Sequence, residues 1–163
     1  MSDDPAGTAV GSSPNLEPAR EPTIWDPEVE HLDEAECVRL ISAGGIGRLA
    51  YSSGSGVAIL PVRYRLDEGS IVFPTPLGSP TDEDLRTGIA DADYHVAFEI
   101  DEFDTAAQEG WMVYIQGAAR HVDSQQDHAS ARPQDARASA GGPPQHFLRI
   151  TPTLIAGRRL SRN

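Results

Sequence analysis

Between Ile46 and Thr75 the chain writes three β-prone runs separated by two tight-turn clusters, and that pattern leaves few folds open. Ile46 to Ser52 is followed by Ser53-Gly54-Ser55-Gly56, Val57 to Leu66 by Asp67-Glu68-Gly69, and Ser70 to Thr75 completes the set. Turns this short join antiparallel neighbours, because a parallel pair needs a crossover of a dozen residues or more. Three more runs read as strands: Tyr94 to Phe103, with Val96, Phe98 and Ile100 on one face, then Trp111 to Val122 and Phe147 to Leu160. Two short helices interrupt them. Asp33 is a good N-cap with Glu36 three residues on, Cys37, Leu40 and Ile41 share one helix face, and Gly44-Gly45 ends the helix. Thr81 to Ala90 reads as a small connecting helix with Asp82, Glu83 and Asp84 in its first turn. The expectation is a mainly β (α+β) chain, built as an antiparallel barrel or sandwich.

Not all 163 residues fit that pattern. Residues 1–29 are rich in Pro, Gly, Ser and acids and read as a disordered acidic tail. Residues 123–145 have a similar polar, Pro- and Gly-containing character and read as a flexible loop. The folded domain is expected over 30–160, with 161–163 as a tail, and no internal repeat is visible. The net charge is −12, with acids concentrated in residues 1–36 and 82–110 and arginines towards the C-terminus. This balance argues against nucleic acid and anionic membrane as partners. All 13 basic residues are arginine. Without a lysine, Schiff-base catalysis and a Walker-type phosphate loop are excluded. A single cysteine, Cys37, allows no internal disulfide, and neither a leader nor a membrane-length apolar run is seen. A soluble, cytoplasmic protein is expected.

A set of short segments then occurs in a telling order. Leu32-Asp33-Glu34-Ala35-Glu36-Cys37, Gly47-Arg48-Leu49-Ala50 and Leu60-Pro61-Val62-Arg63-Tyr64 make its first half. Ile71-Val72-Phe73-Pro74-Thr75, Gly78-Ser79, Val96 to Asp104, Gly110-Trp111-Met112-Val113, Gly117-Ala118-Ala119, Arg149-Ile150-Thr151-Pro152 and Gly157-Arg158-Arg159-Leu160 make the second. No one motif is specific, but over residues 30–122 and 146–160 their order and spacing resemble the pyridoxamine 5′-phosphate oxidase-like family, in particular its small actinobacterial-type members. The resemblance implies a six-stranded split β-barrel that forms a homodimer. It also implies a flavin, FMN or the deazaflavin F420, between the subunits. Activities in the family range from oxidation of pyridoxamine phosphate to reduction of nitro and quinone compounds, with the flavin performing the redox step.

By the same resemblance, Ile59, Leu60, Pro61, Val62 and Arg63 lie along the flavin ring, although alternating apolar residues also suit plain barrel core. The flavin phosphate belongs at Phe73-Pro74-Thr75 and Gly78-Ser79-Pro80. Thr75 and Ser79 keep their hydroxyls there, while Pro74 and Pro80 stand where the family carries an arginine and a lysine. Asp82, Glu83 and Asp84 follow at once and would repel a phosphate. Arg48, Arg63, Arg65 and Arg86 are candidate replacement cations, each with a plainer role as a surface or ion-paired arginine. Trp111 is expected near the flavin or the partner subunit, or in the core. Two functions follow: a flavin-dependent oxidoreductase with a weakened phosphate site, or a cofactor-free, non-enzymatic dimeric barrel. Another small ligand such as haem is a third, without a clear axial ligand.

The remaining candidates point elsewhere than to chemistry. His31, His95, His121, His128 and His146 include no metal-spaced pair on one element, so no metal is expected. Cys37 fits buried packing better than a nucleophile, and the acidic run Glu99, Asp101, Glu102 and Asp104 fits structural contacts at a strand end. Gly44-Gly45-Ile46-Gly47 is not placed as a dinucleotide fingerprint, and no serine lies in a nucleophile elbow. No catalytic side chain is identified.

Overall fold

The computed structural model describes residues 29–86, 94–122 and 145–161. Along the chain run β1 (Val29–Leu32), α1 (Glu34–Ile41), β2 (Gly45–Ser53), β3 (Gly56–Asp67), β4 (Ser70–Pro76), α2 (Pro80–Asp84), β5 (Tyr94–Asp104), β6 (Glu109–Val122) and β7 (Gln145–Leu160). The six expected strands all form. The tail over 1–29, the loop over 123–145, His128 and the end of the chain lie outside the described residues, save Val29, Gln145 and Ser161. The connecting helix stops at Asp84, with Leu85 as its C-cap, and residues 87–90 of the expected span are likewise outside.

Every pairing is antiparallel, and the order β7-β4-β3-β2-β5-β6 closes on itself through β6–β7. Closure removes the exposed sheet edges that an open sheet would present. A seventh strand, β1, was not expected. Its four residues, Val29-Glu30-His31-Leu32, are too few to show alternation, and they become a strand by pairing with Gly157 to Leu160 on the edge of β7. The ring is thin at two seams, and at one of them β2 meets β5 only at Arg48↔Glu99, Leu49↔Phe98 and Ala50↔Ala97. At the other, β3 meets β4 only at Arg65↔Val72, Leu66↔Ile71 and Asp67↔Ser70, whereas β2 pairs with β3 from Gly45↔Tyr64 to Ser53↔Gly56. The barrel is therefore split beside β3.

Leu49, Phe73, Phe98, Ile115, Leu148 and Ile150 fill the interior, each fully buried. Phe98 stacks on Phe73 with centroids 6.2 Å apart and meets Tyr64 edge-on at 5.5 Å. A Cβ at Gly47 would fall 2.2 Å from the Phe98 ring, so the close approach of β2 requires glycine. α1 covers one opening with Cys37 and Ile41. Tyr64 donates its hydroxyl to the Ile41 carbonyl at 3.1 Å, and burial pushes its pKa up to about 12. Asp33 caps α1 as expected, accepting from Glu36 N at 2.8 Å. Glu36 does not complete the box. Its carboxylate binds Arg39 and Arg159 instead, and chiefly the Arg39 bond lowers it to about 2. α2 covers a second part of the ring with Leu85, which is 2% exposed. Among the described residues no helix is long and apolar enough to cross a membrane.

Candidate functional site

The split leaves one edge of β3 without a strand partner, and the strand's side chains sort around it by simple alternation. Ile59, Pro61 and Arg63 are exposed on the outer face, while Leu60 and Val62 are half-buried and pack on the core. The five residues expected along a ring system thus divide between two faces. Ile46, Val57 and Ile59 are 59%, 78% and 69% exposed, an unusual concentration of bare apolar side chains on β2 and β3. Ala50 pairs with Ile59 on one side and with Ala97 on the other. Here the face runs into a groove of about 570 Å³, lined by Ala50, Val57, His95, Ala97, Gln116 and Thr153 among others.

The candidate cations differ in how they are held. Arg48 lies opposite Pro61, but its guanidinium binds Glu99 at 2.8 Å and Asp101 at 2.7 Å, so the acidic run on β5 serves as its counter-charge. Arg65 pairs with Asp67. Arg86 reaches back to Asp82. Arg63 makes no ion pair among the described residues.

At the α2 end, the groups expected to meet a phosphate are engaged with one another. The Thr75 and Ser79 hydroxyls lie 3.0 Å apart, and Ser79 Oγ accepts from Asp82 N at 3.2 Å. Gly78, at φ +72°, donates its N–H to Asp82 Oδ2 at 2.9 Å, and Arg86 donates to the same oxygen at 3.0 Å. His121 Nε2 and His146 Nδ1 each lie 2.8 Å from Asp82 Oδ1. The Asp82 side chain is fully buried. Burial alone would raise its pKa, but the Gly78 N–H and the two imidazoles outweigh that cost and hold the carboxyl well below the usual range. Glu83 is exposed and Asp84 half-buried, so of the three expected repelling carboxylates one, Asp82, turns inward and is bonded within the chain.

Asp82, His121 and His146 were not singled out together from sequence. Spacing within one element cannot show a cluster drawn from α2, β6 and β7. Two signals were nevertheless present. Ser79 to Asp82 has the N-cap-to-N3 spacing. His121 and His146 share strand parity with buried Ala119 and Leu148, which turns both rings inward. Trp111 falls at the far end of β6, paired with Glu102 and Arg159. It is about 30 Å along the strand from His121 at the usual rise per residue, so one subunit does not bring it to Thr75 and Ser79.

A closed antiparallel ring, opened on one side where β3 leaves β4, defines a split barrel. A model of the pyridoxamine 5′-phosphate oxidase family matches residues 33–159, and the chain belongs to that family. An uncharacterised protein of Mycobacterium tuberculosis, Rv0080, is 33% identical over 95 residues, which cover 58% of this chain and 62% of that protein. The chain thus matches less than two thirds of that relative's length. Among solved structures, the FAD-binding protein of Mycobacterium smegmatis is similar at TM-score 0.60 and 24% identity, over 81% of this chain and 98% of its own. A FAD-binding protein of Mesorhizobium loti is similar at TM-score 0.67 and 20% identity, over 82% and 98%. At these identities the structures establish the shared fold.

Proposed function

We propose that the chain is a flavin-binding homodimer of the oxidoreductase kind, cytoplasmic, with the flavin ring along the outer side of β3. The observation that carries this is the open edge of β3 between Gly56 and Tyr64, flanked by exposed Ile59, Pro61 and Arg63. A tricyclic ring needs a flat apolar surface and backbone hydrogen-bonding groups at its polar edge, and a bared strand supplies both. The exposed Ile46, Val57 and Ile59 support a second copy covering the same face, which would enclose the ring from the other side. The similar FAD-binding proteins support the flavin class. A bound flavin would supply the electron-transfer chemistry, and the chain's part is to hold and orient it.

The phosphate end does not fit in the same way. Thr75, Ser79 and Gly78 are already bonded to each other and to Asp82, and Pro74 and Pro80 contribute no charge. A flavin phosphate therefore takes its counter-charge from Arg63, the cation on the open face that lacks an ion pair among the described residues. The closed α2 end favours a second reading, a dimeric barrel that has given up its cofactor. Visible absorption of the purified full chain, followed by titration with FMN, FAD and F420, separates the two. Retained chromophore, or saturable binding weakened by Arg63→Ala, supports the flavin reading. No binding of any of the three overturns it and leaves the cofactor-free dimer.

A further inference from the structure

We infer that Asp82, His121 and His146 form a divalent-metal site of the zinc class, with solvent completing the coordination. The three donor atoms, Asp82 Oδ1, His121 Nε2 and His146 Nδ1, lie within 4.8 Å of one another. Two imidazoles and one carboxylate are a donor set that zinc takes in sites with an open position, at bonds of about 2.0–2.1 Å. Tetrahedral donors at such bonds stand about 3.3 Å apart. The oxygen-to-nitrogen separations here are both 2.8 Å, so an ion entering between them spreads the set by about half an ångström.

The surroundings resemble a ligand shell more than a simple hydrogen-bond pair. The two carboxylate oxygens have different tasks. Oδ2 is fixed by the Gly78 N–H and Arg86, as outer partners commonly orient a metal-binding carboxylate, while Oδ1 faces only the two rings. The rings are held at right angles, with centroids 5.5 Å apart, and come from neighbouring strands at diagonal positions, since His121 pairs with Leu148. The side chains of His121 and His146 are 25% and 35% exposed, which leaves a way in for an ion and a place for water.

His146 Nδ1 faces two partners of opposite need. His146 Nδ1 lies 2.8 Å from Asp82 Oδ1 and 3.3 Å from Arg86 Nη2. To bond the carboxylate it must carry a proton, and to accept from the guanidinium it must not. A metal bound to the Nδ1 lone pair and to Oδ1 removes the conflict on the carboxylate side. Arg86, half-exposed, keeps its bond to Oδ2. The inference does not depend on flavin binding, because all three donors lie at the α2 end and none is on the β3 face.

Isothermal titration of the purified, metal-stripped full chain with Zn²⁺ tests it, with Co²⁺ as a spectroscopic probe. One Zn²⁺ per chain is expected, with visible absorption of low-coordinate Co²⁺ that Zn²⁺ displaces. His121→Gln and His146→Gln should each weaken Zn²⁺ binding about 100-fold while the far-ultraviolet circular dichroism stays native, and His31→Gln should leave binding unchanged. Asp82→Asn is the harsher test, and the two histidine variants stand in for it if it does not fold. Absence of saturable binding overturns the site. So does binding that survives in the folded His121→Gln/His146→Gln double variant.

Discussion

The α2 end of the barrel and the outer face of β2–β3 are opposite solutions to the same sheet. At the α2 end, polar groups are brought inside and matched: a buried carboxylate meets a backbone N–H, a guanidinium and two imidazoles. On the β2–β3 face, apolar groups are left outside and unmatched, with Ile46, Val57 and Ile59 bare and a strand edge open. Burying an unpaired polar group costs folding free energy at once, so a site of the first kind has to be complete within one chain. Exposing apolar surface costs nothing specific until a partner arrives, so a site of the second kind can wait for a ligand or a second copy. One end is thus matched by folding before any ion enters it, and the other is left for a partner to cover.

Several substitutions would break or sharpen that contrast. The largest effect is expected from Leu85→Ala, which empties a fully buried position under α2 and should cost about 3 kcal/mol, lowering Tm by roughly 10 °C or more. Thermal unfolding checks it, and a loss below about 1 kcal/mol would mean that α2 does not close the barrel as described.

Next comes Asp82→Asn, which leaves its donors poorly matched and should cost about 2–3 kcal/mol near neutral pH. Because the folded carboxyl is held below its unfolded pKa, its contribution is full above that unfolded value, about pH 4, and is lost progressively as pH falls from there towards the folded pKa. Arg86, His121 and His146 are the charged or titratable groups facing it. The stability gap between the parent chain and Asp82→Asn should therefore narrow from pH 6 to pH 3 in denaturant titrations. A gap that stays constant would show that the loss is one of packing rather than charge.

On the open face the expected stability effects are smaller and the binding effects larger. Arg63→Ala should weaken flavin binding about tenfold, worth about 1.4 kcal/mol, with Tm unchanged. A proportionate loss of Tm would instead give Arg63 a structural role. Ile59→Glu should change the stability of a single subunit by less than about 0.5 kcal/mol while converting dimer to monomer in sedimentation velocity. If both forms sediment alike, the bare apolar face is not the dimer contact.

Much of the fold was legible because its signals are local. The glycine- and acid-rich turns after Ser52 and Leu66 set the hairpins, alternation through Val96, Phe98 and Ile100 chose the inward face of β5, and Asp33 capped α1 where its side chain could reach Glu36 N. β1 was not legible, because four residues are too few to carry a period and their strand conformation comes from the edge of β7. Glu36 likewise has the spacing of a capping box but turns to Arg159, a residue far along the chain.

The candidate site divides along the same line. The sequence by itself determined a β-rich chain with an antiparallel hairpin order and the absence of lysine chemistry, since each depends on residue type and near-neighbour spacing, whereas the reading of Pro74 and Pro80 as replaced cations came from the family resemblance. Only the tertiary structure decided that Asp82 turns inward, that His121 and His146 converge on it from different strands, and that Arg48 is already paired. The physical reason is range. Turns, caps and alternation act over a few residues, whereas closing the barrel joins positions dozens of residues apart, and only that closure shows which polar groups find partners and which remain open.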